Sequence, residues 1–345
     1  MKWNSILVTL VALMMTQSMM ADECEPCCES NEFLDCLCDP CSGWSFDVDW
    51  LWWKVRRSGL DYAIVGKEQA DTDYLPVGKM HCIEPDRDSG FRIGVFKGCD
   101  CWDFGLRYTH FKTDESAKLN RPSDLDIFIT RSHSGGDFND EGLVDLATSK
   151  YELELGVLDF EAGYRVDFEC ANGYVRPFSG VKFSCIDQSM KTIYDQYMST
   201  MGHAELIKEK LNLDSYGLYC GLEGEWRDVW CKIGLFGRTS VALSVANIDS
   251  RFAQYDFDDL VMGDLEYQAK NDKWCVTPYY EVAFGLSYDL CDFQCIDWSV
   301  QLGYEFHQWC NLDDFIHFVS DDSHLGRDNQ NLGFEGVFLR LHGTY

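Results

Sequence analysis

Residues 158–168 read Leu158-Asp159-Phe160-Glu161-Ala162-Gly163-Tyr164-Arg165-Val166-Asp167-Phe168. Every second residue is apolar, and those between are charged or glycine, which is the period of a β-strand with one dry face. The same alternation returns along the chain. Phe46, Val48, Trp50 and Trp52 oppose Asp47 and Asp49; Phe91, Ile93 and Val95 oppose Arg92; Trp102, Phe104, Leu106 and Tyr108 oppose Asp103 and Arg107. Further runs lie at 181–184, 216–223, 233–236, 280–287, 298–306 and 337–342, giving ten strong strands. Their apolar faces carry large aromatic side chains.

The connections alternate in length. Residues 98–101, 169–173, 227–229 and 289–295 make short turns, whereas 54–90, 111–150, 187–212 and 245–272 read as long polar links. Short turns at one end and long loops at the other predict an all-β, antiparallel transmembrane barrel with an even number of strands. A soluble sandwich would alternate too, but has no reason to sort its loops by length. Alternating pieces inside the loops, Leu60–Ile64 and Leu125–Ile129, leave room for more than ten strands.

The start of the chain agrees with export. Lys2, an apolar run from Ile6 to Met14 and small Ala21 predict a signal peptide over 1–21. Residues 22–43 form a Cys-rich segment expected in the periplasm, and 44–345 the barrel. Past residue 21 no stretch has the roughly 18–20 apolar residues of a membrane helix. A closed barrel remains a way to cross a bilayer with every backbone group satisfied. Removing 1–21 leaves 28 basic against 58 acidic residues, a net charge of −30. Nucleic acid, which needs clustered cations, is excluded as a partner.

All 17 cysteines follow the signal. In an exported chain that number implies disulfides, and an odd count leaves one thiol free or bonded to another molecule. Cys24, Cys27, Cys28, Cys36, Cys38 and Cys41, with Cys99, Cys101 and Cys170 in the turns, are candidates for links between molecules. Cys291 and Cys295 bracket a hairpin turn and have an index sum of 586; Cys275 and Cys310 have 585. Opposed residues of an antiparallel hairpin keep a constant sum, so a disulfide is expected between Cys275 and Cys310, with Cys291 near Cys295.

Several motifs fall in a familiar order. Trp50-Leu51-Trp52-Trp53 precedes Gly59-Leu60-Asp61-Tyr62-Ala63. Leu158–Tyr164 precedes Val175-Arg176-Pro177-Phe178-Ser179-Gly180. Gly285-Leu286-Ser287-Tyr288-Asp289, Leu302-Gly303-Tyr304-Glu305 and Asn331-Leu332-Gly333-Phe334-Glu335-Gly336 follow. Together they resemble the major-outer-membrane-protein-like, pore-forming family of Legionella and the chlamydia-related bacteria. The resemblance implies an outer-membrane barrel, diffusion of solutes and, in chlamydia-like members, a disulfide-linked envelope. Its partners would be outer-membrane lipid, the barrel-assembly machinery and neighbouring envelope proteins.

With the aromatic faces turned to lipid, the bore receives Asp47, Asp49, Asp103, Asp159, Glu161, Asp167, Glu223, Glu225, Glu281 and Glu305. It also receives Arg92, Arg107, Arg165, Arg176, Lys182, Lys232, Arg238 and Arg340. Basic positions lie across from acidic ones on neighbouring strands, where opposite charges stabilise each other. Two readings follow: a pore whose lining orients small hydrophilic solutes, weakly cation-selective through its acidic loops, or a ladder of salt bridges filling a narrow barrel. A structural envelope protein or a surface adhesin using 111–150 and 245–272 is the alternative to a porin. No metal-ligand spacing, nucleophile elbow, phosphate loop or dinucleotide fingerprint occurs, so no cofactor, metal or catalysis is expected. His307 and His342 read as polar wall residues.

Tyr345 closes the last strand with Val337, Leu339 and Leu341 on its lipid face. Tyr345→Ser is expected to lower the yield of assembled protein several-fold while leaving the unfolding of the assembled fraction unchanged. Electrophoresis of unboiled and boiled detergent extracts checks this; equal yields would refute an assembly role.

Overall fold

The computed structural model describes residues 43–345 except 69–75, 100, 132–142, 169–171, 196–203, 231, 259–260, 291–295, 314, 319–324 and 327–328. The expected signal and Cys-rich segment, with Cys24 through Cys41, lie outside the described residues, as do Cys170, Cys291 and Cys295.

The first wall strand is β1 (Trp44–Arg57), followed by β2 (Asp61–Glu68) and β3 (Pro76–Cys82) in a loop, then β4 (Arg87–Cys99) and β5 (Trp102–Asn120). A second loop carries β6 (Asp126–Ile129) and β7 (Leu143–Val144), before β8 (Leu146–Tyr164), short β9 (Val166–Phe168) and β10 (Gly173–Asp195). The wall continues with β11 (Ala204–Trp230), β12 (Ile233–Asp258), β13 (Val261–Asp289) and β14 (Asp297–Asp313). β15 (His317–Phe318) and β16 (Leu325–Gly326) pair in a third loop, and β17 (Asn329–Thr344) is last.

Ten of these strands make the wall, in the order β1-β4-β5-β8-β10-β11-β12-β13-β14-β17, each antiparallel to its neighbours. β17 returns to β1 from Ser45↔Thr344 to Arg57↔Leu332, and β10 pairs with β11 over its whole length, so no wall edge is left open. The ten strongly alternating stretches of the sequence all fall on these ten strands. Leu60–Ile64 and Leu125–Ile129 add nothing to the wall. They belong to a separate four-stranded sheet, β3-β2-β6-β7.

Two of the expected long loops are strand instead. Residues 187–195, 204–212, 245–258 and 261–272 extend β10 through β13 well past the apolar belt. The reason is a change of solvent on the outer face. On β8, Leu158, Phe160, Ala162 and Tyr164 point outward and Asp159 and Glu161 inward. Higher up, Lys150, Glu152 and Glu154 point outward and Tyr151, Leu153, Leu155 and Val157 inward. The pleat is continuous, but its dry side switches.

The same switch occurs on β1, where Val48, Trp50 and Trp52 face out while Leu51, Trp53 and Val55 are buried inside. The outer belt between the switch and the short turns is apolar. Trp44, Trp102, Tyr164, Trp226 and Tyr288 edge it near the turns, and Trp52, Phe91, Tyr216 and Trp274 edge it above. Such aromatic girdles mark the two interfaces of a membrane barrel.

Above the belt the barrel has a core of its own. Tyr62, Ala63 and Val65 of β2 and Ile127 of β6 pack with Trp53, Phe111, Tyr151, Leu153, Phe252, Phe315 and Phe334 in one apolar cluster. With water outside the upper wall, burying these side chains in the interior is favourable, by roughly 1.5–3 kcal/mol per large side chain.

Below it, large inward rings sit against glycines on the next strand. Phe96 faces Gly105, Phe178 faces Gly221, Phe236 faces Gly285 and Phe338 faces Gly303. A Cβ at Gly303 would come within 2.7 Å of the Phe338 ring. Gly303→Val is therefore expected to destabilise the barrel by ~1–3 kcal/mol. Adding Phe338→Ala should recover part of that loss, as non-additive neighbours do. Urea titration of the compact electrophoretic form measures both; strict additivity would count against this packing.

Candidate functional site: the charged bore and its vestibule

Beneath the apolar core the bore is crossed by a layer of paired charges. Arg92 reaches Asp49 and Glu305, each at 3.0 Å, and donates to Thr109. Arg340 grips Asp49 through two nitrogens at 2.8 and 2.9 Å. Arg238 bridges Glu161 and Glu223, both at 2.7 Å, and Arg176 joins Asp103 and Glu161 at 2.6 and 2.9 Å. Lys182 pairs with its register partner Asp159 at 2.6 Å. Glu281 accepts from Ser240 and Tyr279, and Glu305 also accepts from the Trp53 indole. Glu225 meets Arg227 at 3.4 Å.

The rings lend their faces to the same cations. Arg238 and Arg176 lie over Phe178 at 4.0 and 5.4 Å, Arg107 over Phe96 at 5.4 Å and Arg340 over Phe338 at 5.5 Å. The cross-strand Phe–Gly pairs thus supply platforms for guanidinium groups as well as packing. Sequence reasoning placed Phe236 and Phe338 inward but gave none of the four rings a role. The phenylalanine opposite a glycine in each pair was the available signal.

Of the charged residues expected inside, Asp47, Asp49, Arg92, Asp103, Arg107, Asp159, Glu161, Arg176, Lys182, Glu223, Glu225, Arg238, Glu281, Glu305 and Arg340 do face the bore. Three do not. Lys232 is exposed in the β11–β12 turn with a φ of 70°, because the strand alternation ends before the turn residues. Arg165 and Asp167 are exposed at the break between β8 and β9, paired with each other at 2.9 Å, and Arg165 reaches only the rim. His307 and His342 are in the bore, bonded to Tyr279 and Asp47.

The cysteine register also needs correction. β13 and β14 pair from Tyr279↔Trp309 to Asp289↔Ser299, a constant index sum of 588 rather than 585. The offset of three is odd, so it turns the two side chains to opposite faces of the wall. Cys275 points inward, Cys310 outward, and both are free thiols. Cys99 is buried and disulfide-bonded, so it is not available for links between molecules. Cys82, Cys101, Cys185 and Cys220 are exposed free thiols.

The upper core is tied to the wall by buried polar contacts. Arg131, which follows β6, meets Glu209 of β11 at 2.9 and 3.0 Å and donates to the carbonyls of Asp61 and Gly59. The Tyr194 hydroxyl donates to the Tyr62 carbonyl at 2.6 Å. At the opposite end, where the short turns lie, the bore widens into a vestibule of about 680 Å3. Asp47, Phe96, Arg107, Tyr174, Arg340 and His342 are among its lining residues. Between vestibule and upper core, two voids of about 10 Å3 adjoin the salt-bridge layer, each about the space of one water.

A closed antiparallel wall, apolar and aromatic-edged outside and charged within, defines an outer-membrane β-barrel. The chain belongs to the family of the Legionella pneumophila major outer membrane protein precursor, whose pattern it matches over residues 38–344. It is a bacterial outer-membrane protein on that ground. No curated protein matches it significantly. Among solved structures it is similar to the outer membrane protease OmpT from Escherichia coli, with 10% identity and a TM-score of 0.40 over 88% of this chain and 95% of that one. It is also similar to a Pseudomonas aeruginosa FadL homologue, with 8% identity and a TM-score of 0.26 over 88% and 90%. The toluene transporter TodX of P. putida follows, with 8% identity and a TM-score of 0.23 over 89% and 90%.

Removing one member of the charged layer strands its partners in a dry interior. Arg92→Ala is expected to destabilise the folded barrel by ~3–5 kcal/mol. Arg92→Met with Glu305→Leu should cost less than Arg92→Ala alone, and urea titration in detergent compares them. A near-neutral Arg92→Ala would mean that the layer is solvated.

Proposed function

We propose that this chain is a structural, surface-presenting barrel of the outer envelope, without catalytic activity, whose bore is shut in its resting state. The observation that carries the proposal is the double closure. A salt-bridge layer fills one cross-section, and an apolar core built with the β2-β3-β6-β7 sheet fills the next. Small barrels are filled by their side chains, and open aqueous channels belong to barrels of about 16 strands. The strands carried beyond the membrane, with their polar outer face, present a rigid surface to the exterior. Exposed Cys101 beside the short turns suits cross-linking to neighbouring molecules. Cys82, on the loop sheet, is less suited, because burial and the Asp61 carboxylate push its thiol pKa up.

A second reading has one feature in its favour. The polar ties of the loop sheet to the wall are few and centre on Arg131 and Glu209, beside its apolar packing, so a diffusion porin is obtained if that sheet leaves the bore. Its current would favour cations, and more so at low salt, because the acidic excess lies outside the paired layer.

Planar-bilayer recording separates the readings. The wild type is expected to give no stepwise conductance, and Arg131→Ala with Glu209→Ala to give at most brief openings. Stable, uniform steps from the wild type would overturn the structural reading in favour of the porin.

A further inference from the structure

The vestibule has an arginine short of hydrogen bonds at one end and two acidic residues at the other. Every other arginine of the salt-bridge layer donates at least two side-chain hydrogen bonds, but Arg107 donates none among the described residues. Its side chain is only 4% exposed, its Nε is buried without a partner, and its nearest carboxylate oxygen, on Asp47, is 3.7 Å away. That carboxylate is already engaged by His342 at 2.6 Å. Arg107 lines both the vestibule and the innermost void, so its guanidinium stands at the blind end of the cavity.

At the mouth, Asp289 ends β13 and Asp297 begins β14. Both line the vestibule, and neither has a cation within 4 Å among the described residues, although Arg227, on the same lining, is near enough to Asp289 to attract it. Arg107 lies five residues into β5 from Trp102, or ~17 Å along a strand at ~3.3 Å per residue. The wall tilt of ~40° reduces that to a depth of ~13 Å. The volume of about 680 Å3 is that of a small-molecule site. Phe96 and Tyr174 give it apolar walls between the charged ends, and Trp102 and Trp298, turned toward the outer belt, meet it at the rim.

We propose that the vestibule binds a short zwitterionic peptide, its carboxylate on Arg107 and its ammonium group between Asp289 and Asp297. Arginine presents a planar fork that matches a carboxylate with two parallel hydrogen bonds. β5 and the β13–β14 hairpin stand on opposite sides of the ten-strand wall, so the ligand crosses the bore as well as descending ~13 Å, and three or four residues at ~3.3–3.6 Å each are the least that cover the depth. A phosphate dianion suits the site less well, because six lining carboxylates outnumber five lining arginines. The site does not depend on whether the bore conducts.

The test uses the intact protein in detergent, titrated with trialanine, trialaninamide, N-acetyl-trialanine and inorganic phosphate. Calorimetry and the fluorescence of the tryptophans, two of which line the cavity, are the readouts. Trialanine is expected to saturate the site. The amide, lacking the carboxylate, and the acetylated peptide, lacking the ammonium, should each bind about tenfold or more weakly. Arg107→Gln should weaken trialanine by a similar factor, and Asp289→Asn with Asp297→Asn should weaken trialanine but not the acetylated form. Equal binding of trialanine and trialaninamide, phosphate binding in preference to peptide, or no saturable signal would overturn the proposal. The wild-type comparison among ligands stands even if Arg107→Gln fails to assemble.

Discussion

A strand that crosses the membrane and continues beyond it keeps one outward face while the medium on that face changes from hydrocarbon to water. This constraint organises the molecule. The pleat fixes which residues point outward, so the change of medium must be met by a change of residue type at fixed parity. On β8 the change falls between Val157 and Leu158, and on β1 between Trp52 and Trp53. The interior inverts with it. Where the outside is lipid the inside is charged, and where the outside is water the inside is apolar. A wall with water outside can gain from burying apolar groups, and the loop strands β2 and β6 provide the matching surface. The plug is therefore part of what makes the extended wall stable.

The charged layer answers a different requirement. With lipid outside, the polar face has only the bore to turn to, and ten strands leave little room for water there. Charges taken out of water are tolerated only when paired and fully hydrogen-bonded. Glu161 receives Arg176, Arg238 and the Tyr219 hydroxyl, while Asp49 receives Arg92 and Arg340. The glycines opposite Phe96, Phe178, Phe236 and Phe338 clear space for inward rings, and Phe96, Phe178 and Phe338 carry these guanidinium groups. Trp53 joins the two regimes. Its indole nitrogen donates to Glu305 below, and its ring packs on Phe111 and Phe334 above.

Much of this was legible in the residues alone. The ten wall strands, the outward aromatics and fifteen inward charges follow from period-2 alternation, because inside the belt one face meets lipid throughout. The upper strands were not legible for the same reason. A rule that assigns the apolar face to the outside starts the β8 strand only at Leu158 and reads 187–212 and 245–272 as polar connections, because the apolar phase shifts by one residue there. Lys232 was misplaced because alternation was extended into a turn, and Asp167 because it was extended across the strand break at Arg165, where parity no longer determines direction. The Cys275–Cys310 expectation failed at the turn as well. An antiparallel register depends on the turn centre, and two cysteines bracketing a turn do not locate that centre to within one residue. Register errors of that size are invisible in composition, yet they reverse the face of every residue on the strand.

The net charge of −29 is consistent with the tightly paired bore because the two parts of the charge sit in different media. Glu152 and Glu154 on β8, Asp187 on β10, Asp214 on β11 and Asp272 on β13 face outward just above the apolar belt. Water and salt screen them over ~8 Å, so they cost little and mark where the membrane ends. In the bore no such screening is available, and nearly every acid has a cation at hydrogen-bonding distance. Among the described residues, the loosest pairing falls where the interior opens toward solvent, as with Asp289 and Asp297, or toward a cavity, as with Arg107. The distribution follows from a single rule. A charge is left without a partner only where the surrounding medium, or something that enters it, can take the partner's place.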